Sequence, residues 1–153
     1  MNITTNNDGR FETIIPVRFA DTDANGHVFF ANYLTYFDTA FLDYLKAINY
    51  EFKRFTDQQL NFFYVEALSR FKAPANFGDT LRVRVKIIRF GNTSFTIAFS
   101  ISIYESDTLI NTGQIVAVVV DLKKGQPVSI PMDFVATVNR YEGHENDASQ
   151  VSA

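Results

Sequence analysis

The sequence predicts an α+β fold in which an antiparallel sheet of about five strands wraps around one long helix. Three observations carry this. Tyr33, Tyr36, Phe37, Ala40, Phe41, Tyr44, Leu45 and Ile48 recur at alternating steps of three and one, the period of a helical apolar stripe. Further on the period falls to two. Leu81, Val83, Val85 and Ile87 alternate with Arg82, Arg84 and Lys86, and Phe95, Ile97, Phe99, Ile101 and Ile103 alternate with Thr96, Ala98, Ser100 and Ser102. The order along the chain is strand, helix, strands, and this helix is the only element long enough to cover the apolar face of such a sheet.

Residues 11–19 read as the first strand, with Thr13, Ile15 and Val17 alternating with Ile14 and Arg18. Pro16 inside that run marks an edge or a bulge. Residues 20–28 read as a loop, because Asp21, Thr22, Asp23, Asn25 and Gly26 cluster there. Leu34 and Leu42 add apolar positions outside the helical stripe, so the helix is expected to be surrounded rather than laid on a surface. A short second helix is expected within residues 50–59. Residues 62–72 form a weaker strand, closed by Pro74 and the turn Phe77-Gly78-Asp79, and Gly91-Asn92-Thr93 turns between the two alternating strands. Residues 115–120 are continuously apolar, so that strand is expected to be covered on both faces. A turn at residues 123–126 and a short closing helix at residues 132–141 complete the domain. Residues 10–142 are expected to form that domain, with residues 1–9 a disordered lead and residues 143–153 a disordered tail.

Composition narrows the function. Of 153 residues 46% are apolar and 20% charged, a globular balance, and 16 are Phe, so many rings need a large core or a covered interface. The net charge of -3 argues against a nucleic-acid partner, which would call for a basic face. The absence of Cys excludes disulfides, Cys-based metal sites and a thiol nucleophile. Residues 1–10 lack the apolar core of a signal peptide, and no run approaches the roughly 20 apolar residues of a membrane helix. A soluble, cytoplasmic protein without a membrane span is expected.

The loop before the helix holds most of the chemistry. Asp21 and Asp23 precede Gly26, His27 and a helix start near Phe30 to Asn32. A helix start offers unpaired N–H groups and a partial positive charge, which can stabilise an oxyanion. A carboxylate just upstream could attack a carbonyl held there or activate water. An Asp in this position also serves as an ordinary cap or turn residue. A calcium loop would need ligand spacing and a terminal Glu that are missing. His27 reads as a general base or a polar loop residue, and with His144 as its only fellow it builds no metal centre without several carboxylates. Neither a G-x-S-x-G elbow nor a phosphate-binding glycine pattern occurs, so a hydrolase on this chain must rely on a carboxylate. The basic row Arg82, Arg84 and Lys86 is either a solvated strand face or a contact for phosphates.

The run Val17-Arg18-Phe19-Ala20-Asp21-Thr22-Asp23-Ala24-Asn25-Gly26-His27-Val28-Phe29-Phe30-Ala31-Asn32-Tyr33 resembles the opening motif of the 4-hydroxybenzoyl-CoA thioesterase-like hotdog family. Phe71-Lys72-Ala73-Pro74-Ala75-Asn76-Phe77-Gly78-Asp79 resembles that family's Pro-Ala…Gly-Asp turn, and residues 91–95 and 127–131 fall where its later turns lie. The likeness covers about residues 11–141. It implies a hotdog fold and an acyl-CoA thioesterase in which Asp23 is the catalytic carboxylate, as nucleophile or general base, and the Phe30 backbone N–H is the oxyanion donor. Asn32 and Tyr33 match the motif and shape the helix start, and Asp21 reads as structural. By the same likeness His27, Asn32, Tyr33, Glu66, Arg89, Asn92 and Ser94 are candidate substrate-binding residues, the last three toward CoA. Asp38 and Asp43 stand in the helix where another branch places a catalytic Glu, and that role is not transferred. The likeness further implies a homodimer or homotetramer with joined sheets and sites at the interface, an acyl-CoA substrate, and no metal or cofactor beyond the CoA of the substrate. An acyl-carrier-protein thioesterase, an enoyl-CoA hydratase on the same scaffold using Asp23 with His27, and a non-catalytic acyl-CoA-binding protein are the alternatives.

Overall fold

A computed structural model of the chain describes residues 11–143. In order the elements are β1 (Phe11–Pro16), α1 (Asn32–Ala47), α2 (Phe52–Asp57), β2 (Leu60–Phe71), β3 (Thr80–Phe90), β4 (Ser94–Ile103), β5 (Leu109–Asp121), β6 (Gln126–Pro127) and α3 (Met132–Glu142). The strands make one antiparallel sheet in the order β1-β3-β4-β5-β2, with the two-residue β6 on β5. The expected lead (1–9) and all of the expected tail but Gly143 lie outside the described residues. Gly143 is the left-handed cap of α3, with φ 77°.

The helix follows its pattern residue by residue. Tyr33, Tyr36, Phe37, Ala40, Phe41, Tyr44 and Leu45 are buried on α1, and Ile48 is buried just past its end. Alternation along β3 and β4 sends Leu81, Val83, Val85, Ile87, Phe95, Ile97, Phe99 and Ile101 to the same core. Phe37 stacks on Phe99 with ring centroids 4.4 Å apart. At the other end of the helix Phe41, Phe55, Phe62, Phe95 and Phe134 meet mostly edge to face, an arrangement their quadrupoles favour. α3 closes that end, where Asp133 accepts from the Tyr50 hydroxyl and Glu142 from the Tyr44 hydroxyl.

Three expectations need correction. The first strand stops at Pro16 rather than Phe19, and Phe19–Asp21 forms a short 3-10 turn because the Asp21 carboxylate captures the Arg18 N–H at 3.0 Å. Within residues 115–120 of β5 only Ile115, Ala117 and Val119 are buried, while Val116, Val118 and Val120 on the outer face stay half-buried. The helix is not fully surrounded either, since Leu34 remains exposed. Pro16 does mark an edge strand, because among the described residues β1 pairs with β3 alone. The basic row lies on the outer face of β3, where Arg82 pairs with Glu12 and Asp107 and Arg84 with Glu12.

Gly113 of β5 sits beneath α1. A Cβ there would stand 2.5 Å from Phe37 Cε2 and 2.5 Å from the Leu68 carbonyl oxygen. Neither backbone nor a stacked ring can yield cheaply, so Gly113→Ala is expected to lower the unfolding free energy by about 1–3 kcal/mol, read from urea denaturation.

Candidate active site

The segment between β1 and α1 is pinned at several points. Val17 N–H donates to Asp79 O at 2.9 Å and Val28 N–H to Ala75 O at 2.8 Å, so the connection from β2 to β3 lies along it. Thr22 bridges Val28, and His27 bridges Asn76. Between these bridges the chain makes a tight turn. Gly26 N–H donates to Asp23 O at 3.0 Å and Asp23 N–H to His27 O at 2.9 Å, with Gly26 at φ 78°. That left-handed conformation suits Gly and few other residues.

Asp23 is half-exposed in this turn. Its Oδ1 accepts the Asn25 N–H at 2.8 Å, and among the described residues its Oδ2 has no hydrogen bond. One carboxylate oxygen is thus held and the other is open. Phe30 stands at the first turn before α1. Its N–H meets no acceptor among the described residues, whereas Phe29 N–H donates to Asp21 O at 2.9 Å and Asn32 N–H to Phe29 O at 2.8 Å. Since the carbonyl and N–H of one trans peptide point opposite ways, the Phe30 N–H points off the helix start.

Beside it lies a cleft of about 300 Å³ lined by His27, Val28, Phe30, Tyr33, Phe71, Lys72, Ala73 and Pro74. Asp23 is not among its walls in the single chain. The ring of Phe30 is 63% exposed, and Phe71 lies 6.4 Å from it and 5.7 Å from the buried Tyr33 ring. Burial raises the Tyr33 hydroxyl above its ordinary value. His27 Nδ1 lies 2.7 Å from Asn76 Oδ1, which ties the imidazole to the β2–β3 connection. The Asn32 amide donates to Asp21 O at 2.8 Å, so it clamps the helix start. Sequence reasoning did not single out Phe71, Lys72 or Pro74 as walls, although they stand within the quoted Pro-Ala…Gly-Asp run.

The remaining candidates sit elsewhere in the single chain. Glu66 pairs with Val116, on the outer face of the sheet away from α1. Arg89, Asn92 and Ser94 surround the β3–β4 turn, whereas the Asp23 loop adjoins the opposite end of β3, where Pro16 pairs with Thr80. A strand of this length separates the two groups by about 30 Å. Asn92 is engaged with residues before α3, its Oδ1 accepting the Ser129 hydroxyl and its carbonyl the Ile130 N–H.

Asp21 is 4% exposed and is the only charged side chain buried among the described residues. Burial would push its carboxyl up, but hydrogen bonds from the Arg18 guanidinium, the Arg18 N–H and the Tyr36 hydroxyl outweigh that and hold it below the ordinary 3.8. A group depressed in this way stabilises the fold fully above its unfolded pKa and loses that contribution as pH falls through the folded value. Asp21→Asn is therefore expected to unfold at lower temperature than wild type at neutral pH, with the gap narrowing as pH falls below about 4, measured by thermal melts at several pH values.

The profile of the thioesterase-like superfamily matches residues 17–138. An acyl-CoA thioester hydrolase from Escherichia coli is 26% identical over 126 residues, which are 82% of this chain and 93% of that protein. A 1,4-dihydroxy-2-naphthoyl-CoA hydrolase from Thermosynechococcus vestitus is 35% identical over 86 residues, 56% of this chain and 59% of its own length. A solved 1,4-dihydroxy-2-naphthoyl-CoA thioesterase from Synechocystis superposes with a TM-score of 0.78 at 26% identity, covering 84% of this chain and 94% of that one. The matched stretch runs from the Asp21–Asp23 loop through the central helix to α3, and with its curled sheet and central helix this hotdog-fold chain belongs to the thioesterase-like superfamily.

Proposed function

We propose that the protein is an acyl-CoA thioesterase that uses Asp23 and the Phe30 N–H. The observation that carries this is a carboxylate with one open oxygen and a helix-start N–H without an acceptor among the described residues, held on one short loop in a chain of this superfamily. The thioester oxygen accepts the Phe30 N–H, which stabilises the negative charge that develops there. Asp23 attacks the carbonyl carbon or takes a proton from the water that does. The carbon–sulfur bond breaks, CoA leaves as its thiol, and water supplies the atoms of the free acid. His27, Tyr33 and Phe71 border the acyl group, and no cofactor is called for beyond the substrate's own CoA. The cytoplasm suits such a reaction and a chain without Cys, and among the described residues no helix is long and apolar enough to cross a membrane.

The site is completed by a second copy. β2 is an edge strand whose Phe63, Val65, Leu68 and Phe71 are exposed by 39–61%, a free apolar edge that a folded protein normally covers. Antiparallel pairing of two β2 edges lays the partner's Leu60 end beside the Phe71 end and its cleft. Leu60 pairs with Asp121 and Ser94 with Val118, so the partner's β3–β4 turn lies at that same end of the joined sheet. Arg89, Asn92 and Ser94 would then reach CoA from the partner, which resolves their separation from Asp23 within one chain.

Two outcomes are expected. Asp23→Asn retains the fold and loses at least about a hundredfold in turnover across a panel of acyl-CoA thioesters assayed for free thiol; near-normal turnover rejects the assignment. Val65→Glu, which sets a charge on the joining edge, shifts the sedimentation profile to monomer and lowers thioester turnover with it. A monomer with full turnover removes the shared site.

A further inference from the structure

Asp21 does more than fill a place in the loop. Its carboxylate accepts the Arg18 N–H at 3.0 Å, the Arg18 Nη2 at 2.8 Å and the Tyr36 hydroxyl at 2.9 Å. Its carbonyl accepts the Phe29 N–H at 2.9 Å and the Asn32 Nδ2 at 2.8 Å. One residue therefore ties the exit of β1 to Phe29 and to two successive turns of α1, since Asn32 and Tyr36 are four apart on one helix face. Stability alone is a poor reason for such an arrangement, because the Arg18 side chain is 71% exposed and an ion pair open to water contributes little. Its geometric effect is specific. Phe29 is held on both sides, its N–H by Asp21 O and its carbonyl by the Asn32 N–H, and because that carbonyl shares a peptide plane with the Phe30 N–H, the Phe30 N–H has one direction in which to point. Asp23 follows two residues after Asp21, inside the loop that the Thr22–Val28 bridge closes.

We infer that Asp21 is a positioning residue, whose paired carboxylate and carbonyl hold the Phe30 N–H and the Asp23 turn in the relative geometry that thioester cleavage needs. This rests on the thioesterase reading above. Displacement of either group by a fraction of an ångström lowers the rate of the chemical step more than it lowers binding.

Tyr36→Phe removes one hydroxyl from the buried carboxylate without changing the shape of the core, and Asp21→Asn keeps the side-chain size while removing its charge. In folded protein, each is expected to lower kcat by about tenfold or more while KM stays within about threefold. Each should add less than its own full loss in an Asp23→Asn background, because groups that act as one unit are not additive. The Phe30 amide resonance should shift in Tyr36→Phe although Phe30 does not touch that hydroxyl. A folded Tyr36→Phe with wild-type kcat overturns the inference, as does a full additional loss on top of Asp23→Asn. Should wild type cleave no acyl-CoA at all, the thioesterase reading fails by itself, and the Phe30 amide decides the clamp: an unmoved resonance in Tyr36→Phe rejects it.

Discussion

Burial of one aromatic face of α1 against the curled sheet fixes the rest of the molecule. Phe37 lies flat on Phe99, and Gly113 gives it room on the neighbouring strand, so the helix has little freedom to slide or roll. A helix held in this way has a fixed beginning. The loop from β1 and the connection from β2 to β3 are then bonded to that beginning through Val28, Asn32 and Tyr36. Core packing thus sets where an N–H with no acceptor among the described residues stands, and the polar loop only refines it.

Much of the fold was legible because it follows from period. Every residue of the helical stripe from Tyr33 to Ile48 is buried, and the alternating runs of β3 and β4 turn the expected faces inward. The failures came where a side chain or a neighbour overrode pattern. Alternation through Arg18 and Phe19 suggests a longer first strand, but the Asp21 carboxylate draws the backbone into a 3-10 turn. β2 looked weak in sequence because both of its faces carry rings and aliphatic groups, as fits an edge strand with one neighbour. The apolar run of β5 promised two covered faces, and within one chain only the side toward α1 is fully buried.

The site was legible in its parts and less so in its arrangement. Clustered Asp, Gly and His residues before an apolar helix drew attention to the loop, and the family resemblance singled out Asp23 and Phe30 within it. Which peptide N–H lacks an acceptor depends on bonds made by Phe29 and Asn32, and no spacing rule reveals that. Asn32, expected to shape the helix start, braces the loop through the Asp21 carbonyl. The distance between Asn92 and Asp23 was hidden for another reason, since it follows from strand register.

The pairing of β2 bears on how the chain comes together during synthesis. β2 is made early, yet its sole neighbour in the sheet is β5, with Leu60 matched to Asp121 and Phe71 to Asn111. The β3–β4 hairpin has to emerge first, and the ring-rich β2 waits with neither edge satisfied. Closure of this sheet is a long-range event, slow relative to local hairpins, and until β5 arrives the rings of β2 are apolar surface open to contact with other copies.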